Sequence, residues 1–317
     1  MQFENIGKRG VIIMLIFSLI FLALSGCVDE TKTREDAIPD DAIKITPDTD
    51  SFPPLLHSDE WMDPIPLPDP INTAGAEDAP VISPDGNLLL FFFTPDVSVP
   101  ESEQLADGVT GIWWSTNIDG QWSEPQRALL TSTLALDGPL CLHDNILWFC
   151  SARIGNYRDI DIYTVESVGN EWKNWQNAGE LLNTEYLVGE LYLTGDGNTM
   201  YFDSSRPGGY GGKDIWVIEK INDTWTEPIN LGPIINDDTD QGWLYVTADG
   251  SELWYSHNVN IYRAITKGSE WSNPELIVSN WVGDPAMDDQ GNLYFTHHYF
   301  SMEMQRIEAD IYVCYKR

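Results

Sequence analysis

From about residue 76 to the C-terminus, short apolar and aromatic runs alternate with turn residues. LLLFFF (88–93), ILWFC (146–150), TMYF (199–202), ELWYS (252–256) and LYFTHH (293–298) follow turns at Asp85-Gly86, Asp144-Asn145, Asp196-Gly197, Asp249-Gly250 and Gln290-Gly291. Turn residues between apolar runs of this length predict β-hairpins. A second marker follows each run: Gly111-Ile112-Trp113, Asp161-Ile162-Tyr163, Asp214-Ile215-Trp216, Asn260-Ile261-Tyr262 and Asp310-Ile311-Tyr312. A third, led by Trp122, Trp172, Trp225 and Trp271, recurs about every 50 residues, slightly more than the ~40–45 of a four-stranded propeller blade. No helical period competes with this pattern outside the first 26 residues.

The fold class expected is therefore all-β: a five-bladed β-propeller of four-stranded antiparallel blades, five being favoured over six. The fifth unit stops at Arg317 without its tryptophan-bearing outer strand, and Trp61-Met62-Asp63-Pro64 with Ile65-Pro66-Leu67 supplies one from the other end. Pairing the first strand with the last blade closes such a ring and protects its edges.

Pro80-Val81-Ile82-Ser83-Pro84-Asp85-Gly86, the segment SSRPGGYGGKDIW (204–216) and WTEPINLGPIIN (225–236) resemble the WD-repeat-like propeller modules of the TolB C-terminal type. The resemblance covers nearly the whole region after residue 60. It implies a β-propeller and a role in binding partners or scaffolding. TolB's own six blades and N-terminal domain have no counterpart here, so its particular partners are not implied.

The glycine-rich SSRPGGYGGKDIW stretch is not a phosphate loop. Gly208 and Gly212 stand too close together, Asp214 follows Lys213, and a strand rather than a helix comes next. It reads as a turn within the third unit, where glycine permits positive φ.

The N-terminus carries Lys8-Arg9, an apolar run from Val11 to Leu24 and the site Leu24-Ser25-Gly26-Cys27. This is the pattern of a secretory signal, shorter than the ~20 residues of a membrane span, with a cysteine placed like that of a prokaryotic lipoprotein lipobox. The expected organisation is a lipoprotein signal peptide over 1–26, an acidic disordered tether over 27–60 and a TolB-like propeller over 61–317. Cys27 is the expected lipidation site. The expected address is extracytoplasmic, lipid-anchored to the cell membrane. Cys141, Cys150 and Cys314 read as small buried hydrophobes, the first two offset by about two residues on neighbouring strands and so beyond disulfide reach.

Fifty acidic against seventeen basic residues give a net charge of −33, which argues against nucleic acid and anionic lipid as partners. The expected partner is an envelope protein or a carbohydrate, and the chain is expected to be a monomer. No cofactor is called for, although a cation such as calcium fits the charge.

Candidate site residues come from the propeller geometry, in which the first strand of each blade lines the channel. Asp78, Asp137, Glu190, Asp240 and Asp284 precede the five hairpins by six to nine residues. Such an acidic ring could hold a cation or sugar hydroxyls, with Asp78, Glu190, Asp240 and Asp284 as the ligand-binding set. The differing offsets aim some of them away from the channel. A second reading makes the chain a glycosidase with Asp78, Asp137 and Glu190 as its carboxylates, since inverting hydrolysis uses two carboxyls ~6.5–9.5 Å apart. The binding reading is preferred, without catalysis. Asn236-Asp237-Asp238-Thr239-Asp240 lacks the closing glutamate of a calcium loop and reads as a solvated turn. His297 and His298, adjacent on a strand, face opposite ways and make poor joint metal ligands.

Overall fold

The computed structural model describes residues 33–131, 135–169, 171–268 and 270–317. The signal-like run and Cys27 lie outside them. Among the described residues nearly all regular structure is strand, and no helix is long and apolar enough to cross a membrane.

Each repeat seen in the sequence folds as an antiparallel meander. The first unit is Ala76–Ile82, Leu88–Thr94 and Gly111–Ile118, with Gln126–Arg127 on its outer edge. Leu136–His143, Ile146–Ala152, Asp161–Val168 and Glu171–Asn177 form the second. The third runs through Val188–Leu193, Thr199–Ser204, Asp214–Ile221 and Ile229–Asn230. Gln241–Val246, Glu252–His257, Asn260–Lys267 and Glu275–Ser279 make the fourth. Val282–Met287, Leu293–Phe300 and Arg306–Cys314 make the fifth. Its outer neighbour comes from the other end of the chain, with Ile65 opposite Val313 and Pro66 opposite Tyr312. The first and fifth units join in one sheet through a parallel bridge, Ala76 to Ala309.

A repeated clamp explains the second marker. Asn183 accepts from the Ile162 amide (2.7 Å) and donates to its carbonyl (2.9 Å). Asn236 does the same for Ile215 (2.8 and 3.0 Å) and Asn72 for Ile311 (3.0 and 2.9 Å). These buried amides satisfy backbone groups at a strand end where the ladder cannot. That Asn72 serves the last unit makes the N-terminal segment part of the same repeat. The marker isoleucines are buried, and the apolar faces of neighbouring units meet in clusters such as that of Leu89, Phe91, Phe93, Trp113, Ile311 and Val313.

The first strands of successive units pack side by side. Ala76–Ile82 touches Leu136–His143, which touches Val188–Leu193, and so on through Gln241–Val246 to Val282–Met287, which packs back against Ala76–Ile82.

The tether expected over 27–60 is corrected for the described residues 33–60, which lie against the body of the fold. Arg34 is 1% exposed and donates to Glu77 Oε1 (3.0 Å), to the Ile71 carbonyl (2.8 Å) and to that of Pro70. Its guanidinium lies over Phe91 and Phe93 at 5.4 and 5.3 Å. Lys44 bonds Glu308 and Asp310, Asp50 accepts from His297 Nε2 (2.9 Å), and Leu55–Leu56 pairs with Val278 and Ser279. The acidic composition suggests self-repulsion, but two cations placed on buried carboxylates order the segment.

Candidate functional site

Every first strand carries a bulge: between Asp78 and Val81, Pro139 and Cys141, Val188 and Leu191, Gly242 and Leu244, and Gly283 and Ala286. A bulge re-aims the side chains beside it. Ala79 (φ 49°), Trp243 (46°) and Asp284 (53°) occupy the left-handed region there, a conformation non-glycine residues hold only when their surroundings enforce it.

The register assigns Asp78 to the position that Gly138, Gly242 and Gly283 occupy in other units, since they face Phe92, Cys150, Ser256 and Thr296. Asp284 is one residue further along. Asp78 and Asp284 therefore reach one point from different positions of adjacent units, and His298 joins them. One ligating atom from each lies within 4.8 Å of the others. Asp78 Oδ1 accepts from the Ala79 amide (2.9 Å), which also donates to Thr296 Oγ1 (3.1 Å), and Arg306 stands 3.8 Å from Asp78 Oδ2. His298 Nδ1 is buried with no hydrogen-bond partner.

The electrostatics separate the two carboxyls. Burial acts to raise the Asp78 pKa, but His298, Arg306, the Thr296 hydroxyl and the Ala79 amide outweigh it and hold the group below its ordinary value. Burial, the Asp78 charge and a hydrogen bond with Asp78 push Asp284 well above the carboxylate range. Two close carboxyls cannot both ionise freely, so the pair holds one proton. Burial also lowers the His298 pKa against the pull of Asp78, which favours neutral imidazole.

Glu190 lies across a cavity of about 20 Å³ that it lines with Asp284, Ala79, Pro139, Tyr192 and Trp243. Burial, aided by Asp284 and Asp203, raises its pKa well above the ordinary value, against the pull of Lys213. Asp203, fully buried, accepts from the amides of Gly189 (3.0 Å), Glu190 (3.1 Å) and Trp243 (3.3 Å), and Lys213 Nζ is 3.6 Å from it. Lys213 also lies 4.7 Å from the Trp243 ring centroid.

Asp78, Glu190 and Asp284 thus meet at the centre, while two other sequence candidates do not. Asp137 is tied to Arg153 Nη2 (2.9 and 3.1 Å) and accepts from Ser151 (2.5 Å). Burial raises its pKa against those partners. Asp240 is exposed and accepts the Lys213 amide at 2.8 Å. The triple of Asp78, Asp137 and Glu190 is accordingly corrected: the carboxyl that joins the other two is Asp284. Asp203 and Thr296 were missed, while Lys213 and His298 were weighed only as a phosphate-loop lysine and as a joint metal ligand with His297. Lys213 could have been noticed as the lone cation between two glycines and the marker aspartate. A separate open groove of about 880 Å³ runs between the first and second units, lined by Trp114, Trp172, Leu129, Gln126 and Asn145.

Antiparallel meanders whose first strands pack side by side about a polar centre make a β-propeller-type fold, and a solved structure agrees with it. The chain is similar to a thermostable family-43 glycoside hydrolase at TM-score 0.51 and 13% identity, over 77% of this chain and 91% of that one. It is also similar to an alpha-L-arabinofuranosidase from Lactobacillus brevis (TM-score 0.49, 13% identity, 75% and 90% covered). TolB from Acinetobacter baumannii gives a TM-score of 0.43 at 13% identity over 78% of this chain, which spans 56% of that protein's length. At 13% identity the likeness to the family-43 structure speaks for the fold alone. No protein-family model and no curated protein sequence matches the chain.

Proposed function

We propose that the chain is an extracytoplasmic, lipid-anchored, five-bladed propeller of TolB-like type that binds an envelope protein or a carbohydrate and does not catalyse a reaction. The N-terminal pattern ending at Cys27 supports the anchor. The side-by-side packing of successive first strands, and the pairing of Ile65–Pro66 with the last unit, support a ring of five closed across the chain ends.

One observation carries the absence of catalysis. The cavity beside Glu190 and Asp284 measures about 20 Å³, room for about one water and far below the ~300–1,000 Å³ of small-molecule sites. A sugar ring cannot enter it. Partner binding then falls to the outer surface, where the groove with Trp114 and Trp172 offers aromatic faces and a polar rim.

Incubating the full chain with solubilised envelope proteins and with a glycan array tests the reading. Saturable retention of a discrete protein or glycan, recovered chemically unchanged, is expected. Retention of neither, or release of a cleaved glycan, overturns it.

A further inference from the structure

We propose that Asp78, Asp284 and His298 form a site for one divalent transition-metal ion, with zinc(II) the best fit, which pins the first unit to the fifth. The proposal goes beyond the binding reading and does not depend on it.

The donor set is a neutral imidazole and two carboxylates, and imidazole favours zinc and its neighbours over calcium or magnesium, which take oxygen-only shells. The donor atoms lie within 4.8 Å of one another, while a tetrahedral ion bound at ~2.1 Å needs them ~3.4 Å apart, so they close by about an ångström on binding. Asp78 keeps the Ala79 amide on Oδ1, and the ion replaces the hydrogen bond that the two carboxyls otherwise share. His298 Nδ1 is buried and unpartnered, an orphan that a structure rarely tolerates without a ligand. Arg306, 42% exposed and 3.8 Å from Asp78, is the one cation on this carboxylate and can swing to solvent. Lys213 belongs to the other side of the centre, against Asp203.

The remaining coordination position has space. Asp284 borders the 20 Å³ cavity, enough for one water as the fourth ligand. Two carboxylates also neutralise the ion, which spares an uncompensated charge in a buried place.

The ligands come from Ala76–Ile82, Val282–Met287 and Leu293–Phe300, so the ion spans two units whose backbones meet at the Ala76–Ala309 bridge and at the bond from the Asp289 amide to the Pro84 carbonyl (2.7 Å). Binding should therefore raise the melting temperature, because a ligand that binds only the folded state stabilises it by mass action.

The full chain, stripped with a chelator, is titrated calorimetrically with zinc(II), manganese(II) and calcium(II) separately. One equivalent of zinc is expected to bind, at least about tenfold tighter than calcium, and to raise the melting temperature. Asp284→Asn and His298→Gln should each weaken zinc binding by about tenfold or more, on the scale of disturbed metal sites, while Asp240→Asn should not. If a variant fails to fold, cobalt(II) in the wild type decides: one contact-shifted, solvent-exchangeable imidazole N–H resonance is expected. Zinc binding that is absent, not saturable at one equivalent, weaker than calcium, or unchanged in folded variants overturns the site. So does a cobalt complex without an imidazole resonance.

Discussion

Lys213 Nζ lies 3.6 Å from Asp203 Oδ1, so the lysine that ends a glycine-rich loop points to the centre of the fold. Its loop is a turn between strands, and its charge faces carboxylates instead of phosphate. Replacing Lys213 with Met leaves Asp203 buried without its cation and removes the opposing charge from Glu190. A loss of about 1–3 kcal/mol is expected, the range for a buried group deprived of a partner. Urea unfolding of the variant measures it, and an unchanged midpoint would show that the three amides alone satisfy Asp203.

Arg34 and Glu77 make a stronger case, because both are almost wholly buried. Arg34→Met should cost about 3–5 kcal/mol by stranding the Glu77 charge. The double change Arg34→Met, Glu77→Gln should recover much of the loss. Denaturant midpoints of the single and double variants form the test, and additive losses would mean that the ion pair is not what holds residues 33–60 in place.

Stability should peak near about pH 5 and fall on both sides. Burial lifts Glu308 to about 7 from 4.5, against the pull of Lys44. The folded state then keeps a proton that the unfolded chain has released, and stability drops as pH rises from 4.5 through 7. Glu60, held at about 2 chiefly by its bond to Arg263, acts oppositely, and its contribution is lost as pH falls from 4.5 towards 2. Urea midpoints between pH 3 and 9 check the sign. A steady rise to pH 8 would contradict it.

Gly242 cannot take a side chain. A Cβ there would sit 2.6 Å from Asp203 Oδ2, so Gly242→Ala must displace a buried carboxylate that ties the third unit to the fourth. A loss of about 1–3 kcal/mol is expected, as for overpacked cores. Gly283→Ala serves as the control, since its nearest atom is Ser256 Oγ at 3.4 Å. Equal losses in thermal melts would argue against the Asp203 explanation.

The repeat was legible because its markers do local work. The Asp-Ile-Trp segment opens a strand that a buried asparagine clamps, and the turn pairs close hairpins where the pattern places them. Cys141 and Cys150 are free thiols on neighbouring strands, with Gly138 and not Cys141 opposite Cys150, as the offset implied. The centre was less legible, because each bulge shifts side-chain direction by one residue and counting from the turn cannot see it. Asp284 turns inward at φ 53° while Asp137, at a similar offset, meets Arg153. The expectation that His297 and His298 face opposite ways was right, but each face has its own partners: Asp50 for His297, Asp78 for His298. Residues 33–60 were misjudged because composition averages over a segment, whereas Arg34 and Lys44 act singly, Lys44 on partners more than 260 positions away.

The central claim, that the carboxyls at the centre sit behind a cavity too small for substrate, is tested most directly by measuring reducing-sugar release from a panel of plant and microbial glycans by the wild-type chain. No release above the no-enzyme rate is expected. Release that disappears in Asp78→Asn and Glu190→Gln would contradict the account and restore the glycosidase reading.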